Sequence, residues 1–243
     1  MTTRQLLEQR LAHVERRIRE AEIRFGRPPG CVQLLPVSKT RPAADIARLA
    51  STGYRAFGES YLQEALGKQE ALTGLDLEWH FIGPIQSNKT RPIAHHFDWA
   101  HSVDREKIAR RLSAQRPADL SPLNVCLQVN ISAEAAKSGA SPDALCALAS
   151  CVGALPGLRL RGLMAIPARE SDFERQRAAF RRLREAFDIL NADGLALDTL
   201  SMGMSGDLEA AIAEGATLVR VGSDIFGARK KIGHGANGNN SVS

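Results

Sequence analysis

The chain has 243 residues, of which 44% are apolar and 24% charged, and its formal net charge is +5. That is enough apolar chain for a sizeable core, and it excludes an intrinsically disordered or membrane-embedded class. The positive balance does not describe a nucleic-acid surface, because Arg175, Arg177, Arg181, Arg182 and Arg184 surround an apolar helical stripe, and only two Tyr and two Trp are available for stacking on bases.

From the N-terminus, Leu7, Leu11, Val14, Ile18, Ala21 and Phe25 recur at spacings of four and three, which predicts one side of a long amphipathic helix. A stripe this short is read as docking on its own domain rather than as a dimer seam, so a monomer is expected. Strand-like segments follow near 32–38, 55–58, 79–83, 98–102, 124–131, 158–164, 197–201 and 217–222, with helical patterns between most of them. Such alternation implies parallel strands with helical crossovers. Eight units in this length fit a single α/β domain, a (β/α)8 TIM barrel with an extra N-terminal helix, over residues 1–230. Residues 231–243 lack periodicity and are expected to be a disordered tail.

No apolar stretch reaches membrane-spanning length and the N-terminus is polar rather than signal-like, so a cytoplasmic protein is expected. Cys31, Cys126, Cys146 and Cys151 form neither a CxxC pair nor a secreted framework, and His95, His96 and His101 have no acidic or cysteine partner at a ligand spacing. These patterns predict reduced thiols and no metal site.

The chemistry gathers at two places. Lys39 closes the apolar run from Val32 to Ser38 and is followed by Thr40-Arg41-Pro42, with Pro42 suited to a first helical turn. At such a strand end low-dielectric walls disfavour the ammonium form, and the amine becomes free to form a Schiff base with a carbonyl. The plainer reading is a lysine that snorkels at a strand terminus. Near the other end, Ser201-Met202-Gly203-Met204-Ser205-Gly206 and Gly222-Ser223 combine small residues with hydroxyls on the last two strands. Their backbone N–H groups can approach an anion closely, and together they read as a phosphate cup; either one alone would be ordinary turn chemistry.

Strict alternation in Thr217-Leu218-Val219-Arg220-Val221 puts Arg220 on the face opposite Val219 and Val221. A guanidinium there needs an acceptor, either a structural salt bridge or a ligand atom. Lysine, arginine and cup together point to pyridoxal 5′-phosphate (PLP): Lys39 for its aldehyde, the cup for its phosphate, Arg220 for its ring nitrogen.

The segments Val37-Ser38-Lys39-Thr40, Phe57-Gly58-Glu59, Trp79 to Lys89, His101-Ser102-Val103-Asp104, Gln128-Val129-Asn130, Gly162 to Ile166, Leu200 to Ser205 and Ile225 to Arg229 resemble the pyridoxal phosphate homeostasis protein family from about residue 5 to 230. The resemblance implies a fold-type III PLP barrel like the N-terminal domain of alanine racemase, with a Schiff base on Lys39. It also implies a phosphate held by Ser201, Ser205, Gly222 and Ser223, and Arg220 facing the pyridine nitrogen. Ser60, His80, Met164 and Met204, which lie in or beside the matching motifs, are carried over as further cofactor contacts. Ser60 stands where many relatives have Asn, which shortens that side chain, and Ser223 stands where Thr is common.

An arginine facing the ring nitrogen would weaken PLP as an electron sink. The family resemblance, the lack of a second domain as in alanine racemase and the absence of an obvious tyrosine base beyond Tyr54 and Tyr61 lead to the expectation of a cofactor carrier or buffer without substantial catalysis. PLP-dependent apo-enzymes would be its recipients. An amino-acid racemase is the alternative, and a Schiff-base aldolase on the same barrel a more distant one.

Overall fold

The computed structural model describes residues 3–132 and 138–227. Within them eight strands, β1 (Gln33–Pro36), β2 (Ala56–Glu59), β3 (Glu78–Phe81), β4 (Trp99–Val103), β5 (Leu123–Gln128), β6 (Leu158–Met164), β7 (Thr199–Ser201) and β8 (Leu218–Val221), form one sheet. The helices are α1 (Thr3–Arg24), α2 (Ala43–Ala50), α3 (Leu62–Ala71), α4 (Thr90–His96), α5 (Glu106–Gln115), α6 (Pro142–Gly153), α7 (Phe173–Ala192), α8 (Leu208–Ala213) and α9 (Ser223–Phe226). All ladders are parallel in the order β1-β8-β7-β6-β5-β4-β3-β2, and a bridge between Val37 and Gly58 brings β2 back to β1. The sheet therefore closes into the expected (β/α)8 barrel with an extra N-terminal helix.

Each predicted strand is present, with shifted ends. The segment expected to run to Ile131 stops at Gln128, because Val129 leaves the ladder and bridges Ala140. Pro42 is extended and stands just before α2 rather than in its first turn. Residues 228–230 of the expected domain and the expected tail, 231–243, lie outside the described residues.

Side chains alternate along a strand, so each strand has an inner and an outer row. The outer row, including Phe57, Trp79 and Phe81, packs with helix residues such as Ile46, Ile93, Leu112 and Phe180 in the main apolar core. Inside the barrel, Trp99, Cys126 and Met164 form a separate small apolar cluster. Polar residues share the interior: His80, His101, Ser201 and Arg220 are all buried. At Gly162 the neighbouring strand comes so close that a Cβ would lie 1.7 Å from the Thr199 carbonyl oxygen.

Helix α1 buries Leu7, Leu11, Val14, Ile18 and Ala21, and packs against α8, α9 and α2. Phe25, just past its end, stacks on Phe173 at 6.1 Å. Buried Glu22 accepts the amides of Gly30 and Val32, both at 2.9 Å, and so ties the end of α1 to the start of β1. No helix among the described residues is long and apolar enough to cross a membrane, and all four cysteines are free.

Ile18→Ala should lower stability by about 2–5 kcal/mol, the range for truncating a buried aliphatic side chain. Thermal unfolding would show a lower melting temperature that does not change with protein concentration. A melting temperature that falls on dilution would instead identify the α1 stripe as a dimer seam.

Candidate functional site

The C-terminal ends of the strands surround a cavity of about 240 Å³, lined among others by Lys39, Ser60, Ile82, Ile166, Met204, Ser205, Arg220, Gly222 and Ser223. Seven of the ten sequence-derived site residues meet there: Lys39, Ser60, Met204, Ser205, Arg220, Gly222 and Ser223. Ser201, His80 and Met164 are buried in the barrel interior and do not line the cavity.

Lys39 is half-buried just beyond β1, and both of its neighbours are clamped. The Lys68 ammonium on α3 donates to the Ser38 carbonyl at 2.7 Å, to Glu59 Oε1 at 2.6 Å and to Glu64 Oε1 at 2.5 Å. The Ser38 hydroxyl also donates to Glu59 Oε1 at 2.6 Å, and the Thr40 amide donates to Glu64 Oε1. Thr40 is the only non-glycine described residue with positive φ, at 64°. A β-branched residue is strained in that region, and the bond to Glu64 helps to hold it there. Glu59 is fully buried; desolvation raises its pKa above the usual carboxylate value despite Lys68, and its Oε2 has no hydrogen-bond partner among the described residues.

Arg220 points inward from β8. Its Nη1 donates to the Ser201 carbonyl at 2.5 Å and to Ser201 Oγ at 2.7 Å, and its Nη2 donates to the Ala165 carbonyl at 3.0 Å. A guanidinium has five N–H donors, so Nε–H and one Nη2–H remain without a partner among the described residues. Burial lowers its pKa to about 10, which leaves it cationic at neutral pH.

The two small-residue turns lie side by side, with Ser205 Oγ and Ser223 Oγ 3.2 Å apart. The amides of Ser205, Gly206, Ser223 and Asp224 find no acceptor among the described residues. Gly203, at φ 93°, makes the first turn possible, since a Cβ there would lie 2.7 Å from Ala211 Cβ. Asp207 accepts the Met204 amide at 2.6 Å, and the Arg220 amide donates to the Gly203 carbonyl, fixing the turn to β8. From outside, Arg17 of α1 pairs with Glu209 through two nitrogens at 2.8 and 3.0 Å, donates to Asp224 at 2.8 Å and donates to the Ser205 carbonyl at 2.9 Å. One arginine thus joins both turns. On the opposite wall, Gly83 is required because a Cβ there would lie 2.2 Å from the Ser60 carbonyl oxygen.

The arrangement offers an amine, a cationic donor behind it and a rim of N–H and hydroxyl donors, between the apolar side chains of Ile82 and Ile166. It can hold a flat ligand that carries a carbonyl at one edge, an acceptor atom at another and an anionic group at the rim. Arg17, Thr40, Glu59, Glu64, Lys68 and His101 are part of this arrangement and were not among the sequence-derived site residues. Only the i,i+4 pair Glu64–Lys68 left a local trace in the sequence.

Residues 10–230 match the family model described as alanine racemase, N-terminal domain. A pyridoxal phosphate homeostasis protein of Pseudomonas aeruginosa is 64% identical over 223 residues, 92% of this chain and 96% of the relative. The protein of the same name from Escherichia coli strain K12 is 54% identical over 224 residues, 90% of this chain and 95% of the relative. The structure of PipY from Synechococcus elongatus PCC7942 with PLP bound superimposes with a TM-score of 0.79 at 38% identity, covering 91% of this chain and 100% of that one.

Lys68→Met should destabilise the protein by about 3–5 kcal/mol, because it leaves the Glu59 carboxylate buried without its cation. The sign of the pH dependence follows from the raised Glu59 pKa. A carboxyl that protonates more readily folded than unfolded favours the folded state at low pH, and that contribution is lost as pH rises through the folded value. Without Lys68 the folded value rises further, so the deficit of the variant, measured by urea unfolding, should be smaller at about pH 5 than at about pH 8.

Proposed function

The chain belongs to the pyridoxal phosphate homeostasis protein family, and from that membership and the cavity at Lys39 we propose that it binds PLP covalently on Lys39 and carries or buffers it without substantial catalysis. The donor set fits this cofactor. The amine of Lys39, the two protein-free donors of Arg220 and the rim of amides and hydroxyls match an aldehyde, a ring nitrogen and a phosphate in turn. The observation that carries the reading is the presence of all three in one cavity.

When bound, PLP supplies an aldehyde that condenses with the lysine amine with loss of water, an aromatic ring and a phosphate dianion. Ser205, Gly206, Gly222 and Ser223 would hold the phosphate, Arg220 would donate to the ring nitrogen, and Ile82, Ile166 and Met204 would supply the apolar walls for the ring. Ser60 lies on the wall next to Lys39. The place of Ser201 is to hold Arg220 rather than to reach the rim, and His80 stands behind it.

Arg220 is cationic and can act only as a donor, so a ring nitrogen placed against it would stay unprotonated and would withdraw electrons weakly. No tyrosine lines the cavity among the described residues: the Tyr54 hydroxyl donates to Glu15 Oε1 at 2.6 Å away from it, and Tyr61 is exposed. A proton at a substrate carbon therefore lacks both a strong sink and a tyrosine base. The protein acts as a monomer in the cytoplasm, where its four free cysteines stay reduced, and PLP-dependent apo-enzymes receive its cofactor.

Three outcomes check this reading. Borohydride treatment of the PLP-loaded protein should fix a pyridoxyl group on the peptide containing Lys39, and Lys39→Ala should lose both that label and the visible absorbance. Pyridoxal without the phosphate should bind at least about a hundredfold more weakly, since it forgoes several charge-assisted hydrogen bonds worth roughly 1.5–3 kcal/mol each. The third outcome concerns activity: purified, PLP-loaded protein should turn over common amino acids far more slowly than about 1 s⁻¹. Racemisation at that rate or faster, lost in Lys39→Ala, would establish the racemase instead.

A further inference from the structure

Behind Arg220, a row of inward side chains crosses the barrel to its opposite mouth. Ser201 Oγ, which accepts from Arg220, lies 2.8 Å from His101 Nδ1; His101 Nε2 lies 2.9 Å from His80 Nδ1; His80 Nε2 lies 2.7 Å from Glu78 Oε1. His80 and His101 are buried, while Glu78 is half exposed at the N-terminal end of β3. His80 is fixed by stacking on Trp99, with centroids 5.3 Å apart and planes within 7°.

The direction of these bonds follows from what each atom can do. Glu78 is an acceptor, and the bond from His80 lowers its pKa, so it stays ionised and His80 presents Nε2–H to it. Burial keeps His101 neutral, with its pKa well below the ordinary imidazole value. One proton must lie in the His80–His101 contact. If it sits on His101 Nε2, then His101 Nδ1 accepts from the Ser201 hydroxyl, and every donor in the row from Ser201 through His80 has an acceptor. If it sits on His80 Nδ1, two N–H groups converge on Ser201 Oγ, the buried hydroxyl proton has no acceptor in the row, and a second cation stands in line with Arg220. The first arrangement satisfies the row. The other charges acting on it are Arg161, whose guanidinium lies 4.8 Å over the Trp99 ring, and Asp98, which accepts the Trp79 amide.

Taking Arg220 as the residue that meets the cofactor, we propose that Glu78, His80, His101 and Ser201 form a one-way hydrogen-bond relay that positions its guanidinium. Glu78 is then a positioning residue that acts on the cofactor cavity from the other end of the barrel. The carboxylate polarises each link in turn, which makes Ser201 Oγ a stronger acceptor for Arg220 than an isolated hydroxyl would be.

The test has two arms on the full-length protein. In cofactor-free protein labelled with ¹⁵N-histidine, both rings should appear at neutral pH as neutral tautomers protonated on Nε2. A proton on Nδ1 of either ring would overturn the relay. In the second arm, Glu78→Gln, a substitution at a half-exposed position, should weaken PLP binding about threefold and shift the His101 Nδ1 resonance. In a Ser201→Ala background, where the relay is already cut, the same substitution should have no further effect on PLP binding. Equal losses in both backgrounds, or no loss in the wild-type background, would also overturn it. An Arg220→Lys variant with unchanged PLP affinity and spectrum would defeat the reading that Arg220 meets the cofactor, whereas the tautomers of the cofactor-free protein would still decide the relay.

Discussion

A guanidinium inside a closed barrel is the constraint on which the rest of the site depends. Arg220 is only 4% exposed and cannot escape its charge by losing a proton at neutral pH. Its surroundings must therefore supply acceptors, and the inner rows of β4, β6, β7 and β8 are arranged to do so. Ser201 contributes a carbonyl and a hydroxyl, Ala165 a carbonyl, and His101 orients the hydroxyl. Apolar residues such as Leu35, which shares its side of the sheet with Arg220, and the cluster of Trp99, Cys126 and Met164 fill the rest of the interior, while the large apolar core lies outside the sheet. Cys126 shares that buried setting, which pushes its thiol up to about 12 and removes it from nucleophilic chemistry.

The rim obeys a different constraint, because turns built from glycine and serine have no core of their own to keep them in shape. They are held instead by charged groups around them. Asp207 takes the Met204 amide, and Arg17 connects Ser205, Glu209 and Asp224 from the outer side. The extra helix α1 thus serves two purposes, covering apolar surface with one stripe and presenting Arg17 beside it. The shape of the two turns is in this way set by Asp207 from within and Arg17 from outside.

Most of the fold was legible in the sequence because barrel strands repeat a simple pattern, apolar runs closed by small or polar residues. Lys39 and Arg220 were legible for the same reason: each breaks an apolar strand at a definite parity. The glycine-serine turns could be read from the sequence as one motif, but not which serine lines the cavity. Ser201 and Ser205 belong to one motif, yet the first ends β7 with its side chain inward under Arg220 and the second stands on the rim. His80 and Met164 were drawn in by their motifs, and alternation within their strands turns both into the barrel interior. The clamp around Lys39 was hidden, since Ser38, Glu59 and Lys68 come from three elements and meet only after the barrel closes. Arg17 looked like one more charge on a solvated helix face, and its partners lie about 190–210 residues away, as 192 and 207 positions separate it from Glu209 and Asp224.

The ladder around the barrel is uneven. β8 and β1 share four paired positions, but β7 meets β8 through the single pair Ser201–Leu218, and β1 meets β2 through the single bridge Val37–Gly58. The strand that carries Arg220 and the strand that leads to Lys39 therefore form one laced panel, and β7 is joined to it by the amides of Thr217, Met202 and Arg220, which donate to the carbonyls of Leu200, Leu218 and Gly203, and by the Arg220 guanidinium on Ser201. Because Arg220 and the strand leading to Lys39 share this panel, their relative placement is set by backbone pairing rather than by side-chain packing. The wall that carries Ser60 is joined to this panel through a different contact, the Val37–Gly58 bridge with the Ser38 amide donating to the Gly58 carbonyl, so the two sides of the cavity are set by independent backbone pairings.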